Sequence, residues 1–319
     1  MTNKFIIASS GTLALLLSAG AAQASCGSAF CVLNTNWSTQ GVASEPGAFR
    51  LDERFEFVDQ KHLQSGTKRV STDDVAAEET TELRTINRNL LTTLDYAVSK
   101  NWALSVSAPA ISRSHSHIDN ATGDTEKWDF SKIGDTRVLG MYRFDNEKNP
   151  VASQGLIFGL KLPTGDYRVS NADGAVAERA LQPGTGSTDL VLGGYYSAPG
   201  IHLDSSWFVQ ALYQQAVSTK EEYKPGNQLQ LNVGYRYPLG HDWQALLQVN
   251  SMIKGKDSGA KAEPDLSGSK SVFLSPGLIY SLTHDLQLYS FVQLPIYRFY
   301  NGTQLSVDWA FVAGATMRF

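Results

Sequence analysis

The stretch LSVDWAFVAGATMRF, residues 305–319, closes the chain and decides the fold class. One face of this stretch carries Leu305, Val307, Trp309, Phe311, Ala313, Ala315, Met317 and Phe319. The other face carries Ser306, Asp308, Thr316 and Arg318. Alternation of apolar and polar residues with a period of two is typical of a β-strand with one apolar and one polar face. The stretch therefore predicts such a strand.

The same alternation recurs along the chain from residue 49 onward. It predicts strands at about 49–60, 84–98, 102–113, 133–144, 151–163, 187–198, 205–218, 227–238, 243–254, 271–282, 286–299 and 304–319. Single-chain outer-membrane barrels have an even number of strands, as this set does, and both of their ends lie in the periplasm. The pattern predicts an all-β fold, a transmembrane antiparallel β-barrel of about 12 strands with both termini periplasmic.

The connections between the predicted strands alternate in length, as the short periplasmic turns and longer external loops of such barrels do. Short turns lie at 99–101, 145–150, 199–204, 239–242 and 283–285, and longer polar stretches at 61–83, 114–132, 164–186, 219–226 and 255–270. Only the last external loop, around Asn301-Gly302, is tight. The terminal Phe319 resembles the C-terminal signal of bacterial outer-membrane barrels, which predicts the barrel-assembly machinery as a partner. A soluble β-sandwich is the alternative, but its apolar faces would turn inward.

The N-terminal region predicts export. Lys4, the apolar stretch 5–17 and Ala22-Gln23-Ala24 have the order of a cleaved signal peptide over residues 1–24. Residues 25–48 then form either a plug or a periplasmic tail, and residues 49–319 form the barrel. Cys26 and Cys31 are the two cysteines of the chain, and an oxidising periplasm favours a local disulfide between them.

The composition excludes several classes of protein. The net charge is -4 and charged residues make up 18% of the chain, so no basic excess is present to bind nucleic acid. The expected partners are outer-membrane lipid, lipopolysaccharide contacted by acidic external loops, and a small solute. Localisation in the outer membrane follows from the signal peptide and the barrel together.

The polar faces of the strands predict the lining of the lumen. The expected pore-lining residues are Arg50, Asp52, Arg54, Glu56, Asp95, Asp135, Arg137, Arg143, Lys161, Asp189, Arg236, Asp308 and Arg318. Acids and bases nearly balance in this set, so strong ion selectivity is not expected. The alternative is that these charges pair across the lumen and hold a closed barrel rigid. Strict alternation points Glu53 at lipid, which a bulge, a position at the interface or a partner subunit would explain.

Three strings resemble a family of outer-membrane proteins named for the meta pathway of phenol degradation. They are Gly134-Asp135-Thr136-Arg137, the run Gly159 to Asp166 (GLKLPTGD) and the run Gly184 to Asp189 (GTGSTD). The resemblance implies a channel or uptake barrel for small aromatic or other hydrophobic compounds, and it supplies no catalytic residues. These strings flank one external loop, which either is an ordinary loop or folds inward as a constriction with Lys161 and Asp189 at its root.

The six histidines argue against an enzyme. All of them fall in predicted turns, loops or loop edges, so none is expected to project into the lumen. His115-Ser116-His117 lacks the spacing of a membrane phospholipase, which needs His followed two residues later by Ser. His115, His117 and Asp119 would share one side of an extended edge, but two imidazoles make a weak metal site, so a solvated loop is preferred. No catalytic residue, metal or cofactor is predicted.

Two functions follow from these patterns. The first is an outer-membrane channel for passive uptake or efflux of small solutes. The alternative is a sealed barrel that acts as a structural or interaction protein, through its loops or through residues 25–48 with a periplasmic partner.

Overall fold

The computed structural model describes residues 45–75, 80–145, 151–202 and 204–319. The strands are β1 (Phe49–Gly66), β2 (Lys68–Arg69), β3 (Thr80–Ala97), β4 (Trp102–Asp119), β5 (Thr125–Ile133), β6 (Thr136–Arg143), β7 (Ser153–Leu162), β8 (Thr188–Pro199), β9 (Ser206–Ser218), β10 (Gln228–Pro238), β11 (Trp243–Lys254), β12 (Ser269–Ser281) and β13 (Leu286–Arg318). Short 3-10 turns lie at Asp73–Val75 and Pro264–Leu266. Among these residues there is no helix that is both apolar enough and long enough to span a membrane. The predicted signal peptide and the Cys26–Cys31 disulfide lie outside the described residues.

The strands close into a ring. Each strand from β3 to β13, with β5 set aside, pairs with its neighbour in the ring, and β13 pairs with β1 to complete the circle. All of these pairings are antiparallel. β2 and β5 lie outside the ring, where β2 forms a small hairpin with β1 and β5 pairs with β4. The prediction of an all-β antiparallel barrel is confirmed, whereas the periplasmic placement of the termini remains a prediction.

The last strand, β13, makes two passes through the wall. It contains 33 residues, of which 287–300 pair with β12 and 300–318 pair with β1. Chain direction alternates from strand to strand around the ring, so β13 must reverse between these two segments. The reversal lies at Asn301-Gly302, where Gly302 has φ +67°, a backbone conformation that favours glycine. With two passes in β13, the eleven strands of the ring give the about 12 passes that the sequence predicts.

The hairpin of β4 and β5 extends the wall well beyond its predicted edge. Residues 114–132 were expected to form a loop, but β4 continues to Asp119 and pairs with β5 from Ala110↔Ile133 to Ile118↔Thr125. The same holds for the predicted loop 61–83, since β1 runs to Gly66 and β3 begins at Thr80. The alternation of apolar and polar residues does not continue into these extensions, because their outward residues, such as Ser114 and Ser116, face water and need not be apolar.

The outer face of the barrel carries a continuous apolar band. Its members alternate with buried residues along the strands and include Phe55, Leu90, Leu104, Leu160, Leu192, Leu231, Leu247, Leu278 and Leu294. Aromatic residues pair across neighbouring strands near the end of the barrel that holds Phe49 and Phe319, which we name the terminal end. The ring centroids are 4.8 Å apart in Trp102–Tyr142 and 4.7 Å apart in Trp243–Tyr280. Such a band with an aromatic girdle suits a lipid bilayer.

The inner face is more apolar than the sequence predicts. Phe208, Leu246, Ile279 and Phe291 form one buried cluster inside the wall. Leu305 and Val307 also turn inward and are buried, although the alternation placed them on the lipid face with Trp309. The cause is a register shift, since Asp59 pairs with Trp309 but Gln60 pairs with Val307, which leaves Asp308 as an extra residue.

Glu53 lies on an unbroken part of the wall. The register between β1 and β13 runs without a shift from Arg50 to Asp59, so no bulge turns Glu53 inward. Its carboxylate Oε2 accepts a hydrogen bond of 3.0 Å from Oγ1 of Thr92, the residue opposite it on β3. The hydrogen bond from Thr92 therefore gives the outward-facing Glu53 carboxylate a polar partner within the wall.

Candidate functional site: a luminal cavity beneath an inward-folded segment

A cavity lies inside the barrel, between the strands and the segment 163–187. The volume open to the centres of water molecules is about 160 Å³. A single water needs roughly 10–15 Å³ by this measure, so the cavity has room for several waters or one small molecule. Its side chains come from strands β1, β3, β4, β6, β7, β9 and β10 and from the segment 163–187.

Two kinds of residue line this cavity. The apolar residues of its lining are Leu91, Pro109, Ile111, Leu139, Met141, Ile157, Pro183 and Leu212. The charged residues are Arg54, Glu56, Arg113, Asp135, Arg137 and Lys161, and neutral polar groups come from Asn89, Gln210, Gln214 and Gln228. The cavity is therefore amphipathic, with charges concentrated at a few positions.

Lys161 is the centre of the charged side. Its Nζ atom lies 2.8 Å from Oδ2 of Asp135 and 3.2 Å from Oδ2 of Asp189, and all three side chains are buried. The same ammonium donates to the hydroxyl of Ser187 at 3.1 Å and to that of Thr185. One cation between two carboxylates satisfies the groups that burial would otherwise leave unpaired.

This ion cluster fixes both ends of the segment 163–187, which we name the lid. Asp135 accepts hydrogen bonds from the backbone N–H of Gly165, at 3.1 Å, and of Thr185, at 2.9 Å. Those two residues belong to the first and last turns of the lid. The lid is thus attached to the wall at the point where it leaves β7 and where it enters β8.

The glycines of the three family-like strings allow the backbone to cross here. A Cβ atom on Gly184 would lie 2.5 Å from the carbonyl oxygen of Gly165. A Cβ atom on Gly134 would lie 2.8 Å from Cδ1 of Ile111 and 3.0 Å from the carbonyl oxygen of Pro183. No ordinary side chain fits at either contact, so Gly134, Gly165 and Gly184 of these strings are required by one close backbone crossing.

The middle of the lid packs inside the extended rim. Ala177 and Leu181 join a buried apolar cluster with Leu63, Trp128 and Leu305. Trp128 Nε1 donates to the carbonyl oxygen of Ala175 at 3.0 Å, and Arg113 donates to that of Leu181. Since Pro183 and Thr185 line the cavity as well, the lid forms its roof.

The structure places five of the predicted pore-lining residues at the cavity. They are Arg54, Glu56, Asp135, Arg137 and Lys161. Arg54 pairs with Glu56 at 2.9 Å, and Arg137 donates to Oε1 of Gln214 at 3.0 Å. Asp189 joins them through Lys161, as described above.

Three other predicted residues form internal struts nearer the terminal end. Arg50 and Asp95 make a buried ion pair of 2.6 Å. Asp52 accepts hydrogen bonds from the hydroxyl groups of Tyr289, at 2.9 Å, and Thr316, at 2.6 Å. These contacts join β1 to its neighbours β3 and β13 on the inner face of the wall, so they brace the wall there.

The remaining predicted residues lie away from the cavity. Arg143 and Arg236 are half-buried near the terminal end, and Arg318 is exposed there. Asp308 lies at the opposite rim, where its carboxylate contacts His62 at 2.7 Å and Arg69 at 3.2 Å. For Asp308 the reason is the register shift between β1 and β13, which alternation alone does not reveal.

Sequence reasoning missed the apolar wall of the cavity. It assigned polar faces to the lumen, yet Ile111, Met141 and Ile157 point inward and are buried. The strand repeat could have predicted this wall. Alternate residues of a strand share a face, and Ile111 lies an even number of residues from Ser105 and Ser107, which also line the cavity. His115 and His117 follow on that same face and are buried beneath the lid, so the prediction that no histidine projects inward is wrong.

Comparison with known proteins gives both a family and a fold. Residues 93–298 match the protein family described as "Putative MetA-pathway of phenol degradation". The solved structure of an outer membrane channel from Pseudomonas putida F1 aligns with 87% of this chain and 97% of its own, at 14% identity and a TM-score of 0.60. At that identity the likeness shows a shared fold.

Two porin structures are similar at lower scores. The KdgM porin, solved with disordered oligogalacturonate, aligns with 85% of this chain and 99% of its own, at 13% identity and a TM-score of 0.41. The NanC porin aligns with 84% and 98%, at 11% identity and a TM-score of 0.44. No curated protein matches the sequence.

Proposed function

Because the chain belongs to the family described as "Putative MetA-pathway of phenol degradation" and folds as an outer-membrane β-barrel, we propose that it is a channel for small solutes. The observation that carries the proposal is the cavity inside the closed wall. A barrel that served only as a scaffold would gain stability from filling that space with side chains. A space kept open and lined by both charged and apolar groups is instead suited to a passing ligand.

The lining favours a small aromatic solute that carries a hydroxyl or carboxylate group. Ile111, Met141 and Leu212 offer an apolar surface for a ring. Arg137 lies at the same cavity and can donate hydrogen bonds to an oxygen of the solute. Glu56 and Asp135 offset only two of the four cations that line the cavity, so the positive excess favours a solute that carries a carboxylate.

The packing of the lid favours a gated channel over one that is permanently open. The buried cluster around Leu181 and the ion pairs of Lys161 hold the lid across the lumen. Conduction would then require the lid to move. A sealed barrel would show the same packing. The experiment below therefore distinguishes a gated channel from a sealed barrel.

Single-channel recording in a planar bilayer tests the proposal. The mature chain, refolded and checked for β-structure by circular dichroism, is expected to give discrete conductance steps. Arg137→Ala removes a cavity cation and should change the step size and reduce block by added benzoate, whereas Arg69→Ala, at the exposed rim, should change neither.

Two results would overturn the proposal. Silence from a folded barrel, both with and without residues 25–48, would identify a sealed barrel. Equal conductance and equal benzoate block in wild type and Arg137→Ala would place the solute path away from this cavity.

A further inference from the structure

Two histidines and a glutamate meet in the interior beneath the lid. Glu82 lies on β3, and His115 and His117 lie on the inward face of β4, each of them about 2% exposed. Their ligand atoms all lie within 4.8 Å of one another. The pairing of β3 with β4 sets this meeting, because Glu82 is opposite His117 and a register shift follows it.

The spacing of the ligand atoms matches a metal site. Nε2 of His115 is 3.4 Å from Nδ1 of His117 and 3.5 Å from Oε2 of Glu82. A tetrahedral ion with bonds of about 2.05 Å separates its ligand atoms by roughly 3.3 Å, which is close to both distances. Two imidazoles and one carboxylate leave a fourth position for water.

Each imidazole is also oriented by a second contact on its far side. Nδ1 of His115 lies 2.8 Å from Oγ1 of Thr85, and Nε2 of His117 lies 3.2 Å from Oε2 of Glu126. A carboxylate only accepts, so Nε2 of His117 carries the proton and Nδ1 keeps its lone pair. When Nδ1 of His115 donates to Thr85, both lone pairs face the space between the rings, as in metal-bound histidines.

The charges around the cluster favour a cation. Glu178 of the lid has both carboxylate oxygens buried, and within the described residues neither oxygen has a hydrogen-bond partner. Glu82 and Glu263 lie close enough to interact electrostatically with Glu178, so three carboxyl groups gather beside the histidines. A cation also lies in this region, since the charge of Arg113 acts on His115. A bound metal ion would satisfy the buried carboxyl oxygens of Glu178.

The position also lies outside the lipid-facing band. At the level of the histidines the outward residues of β4 and β5 are polar, such as Ser114, Ser116, Lys127 and Asp129. The side chain of Glu126 is 39% exposed, so the cluster reaches solvent on that side.

We propose that Glu82, His115 and His117 bind one divalent transition metal ion of the zinc class. Imidazole nitrogen selects such ions over Mg²⁺ and Ca²⁺, which prefer oxygen ligands. The sequence grouped Asp119 with the two histidines and favoured a solvated loop. In the fold Glu82 takes the place of Asp119 and the cluster is buried. The site therefore differs in one ligand and in burial from the exposed group of His115, His117 and Asp119.

Titration with Co²⁺ and Zn²⁺ tests the site on the untagged full-length mature barrel in detergent, after treatment with a chelator. One Co²⁺ per chain should bind, with the visible absorption of a tetrahedral complex, and Zn²⁺ should displace it. The ring centroids of Trp128 and His117 are 4.9 Å apart, so bound Co²⁺ should also quench Trp128 fluorescence. Trp128→Phe should remove that quenching but keep the absorption band.

Matched variants separate this site from surface binding. His117→Gln, and separately Glu82→Gln, should weaken Co²⁺ binding at least tenfold, and Glu126→Gln should weaken it about 10-fold through loss of orientation. His62→Gln, which alters another histidine–carboxylate contact, should leave binding unchanged. Circular dichroism confirms that each variant forms a barrel.

The proposal fails if the wild-type barrel shows no saturable binding at one ion per chain. It also fails if folded His117→Gln and Glu82→Gln barrels both bind Co²⁺ as wild type does. Neither result depends on conductance, so the metal site is tested independently of the proposed channel.

Discussion

Lys161 and Asp135 join two strands and the lid through one buried contact, the 2.8 Å ion pair between Nζ and Oδ2. The pair lies at the cavity, and Asp135 also holds the two ends of the lid. A single ion pair thus takes part in the wall, the roof and the lining of the site. Substitutions at Lys161 should therefore affect stability as well as conductance.

Lys161→Ala should destabilise the barrel by about 3–5 kcal/mol, because it leaves two buried carboxylates without their cation. Urea unfolding in detergent micelles measures the change. Asp135→Asn in the same background should recover part of the loss. Lys100→Ala is the control, since its contact with Asp145 is exposed and should leave the unfolding midpoint unchanged. Equal midpoints for Lys161→Ala and wild type would contradict the prediction.

Leu181→Ala should open the lid more often. Leu181 is 1% exposed in the cluster with Trp128 and Leu305, and truncating such a residue costs about 2–5 kcal/mol of packing. Single-channel recordings should show a higher open probability than wild type. Val176→Ala, at a 60% exposed position of the same lid, should behave as wild type. Unchanged opening in a folded Leu181→Ala barrel would show that the lid is not the gate.

The pH response of the lid should depend on Glu178. The pKa of this carboxyl in the closed lid is raised above its ordinary value of 4.5, chiefly by burial and then by Glu82 and Glu263. A raised carboxyl pKa stabilises the closed form at low pH, and that contribution is lost as pH rises from about 4.5 through the higher pKa of the closed form. Open probability should therefore increase with pH.

Recordings across that pH range, with a chelator present, measure the effect. Glu178→Gln should flatten the pH dependence because the amide does not titrate. Asp173→Asn, an exposed acid of the lid, serves as the control and should retain it. An unaltered pH response in Glu178→Gln would assign the titration to another group.

Deletion of Phe319 should impair assembly in cells more than it impairs refolding. Phe319 exchanges two backbone hydrogen bonds with Phe49, of 2.8 Å and 3.0 Å, and their rings stack with centroids 5.8 Å apart. The deletion removes only the last contacts of the closing strands, so refolding into detergent should persist. The outer-membrane fraction should instead lose most of the protein. Phe319→Tyr should restore it, and normal membrane levels of the deletion variant would exclude a signal role.

The architecture was predictable because lipid imposes a strict rule on the wall. Leu247 and Val249 must face hydrocarbon while Gln248 and Asn250 face inward, so one sequence pattern locates the strand and its orientation. The rule ends where the lipid ends. Beyond Ala110 both faces of the β4–β5 hairpin contain polar residues, and the sequence suggests a loop where the structure has strands.

The site was less predictable because it depends on register. The extra residue at Asp308 turns Val307 inward, and the shift after Glu82 brings that carboxylate to His115 and His117. Each is a relationship between strands, which the alternation within one strand does not contain. The glycine strings around the lid predicted its location, but only the fold shows that Gly134, Gly165 and Gly184 meet.

The pairing of β1 with β13 constrains the order in which the protein folds. Gln60 donates to the carbonyl oxygen of Leu305, 245 positions away. One edge of β1 therefore stays unpaired until β13 has been synthesised and has folded against it. Contacts between residues that are far apart in sequence form slowly, and an unpaired strand edge can aggregate with other chains before they form. The completed polypeptide must therefore be kept from self-association after synthesis and before insertion, and a chain truncated near its C-terminus would leave the seam open.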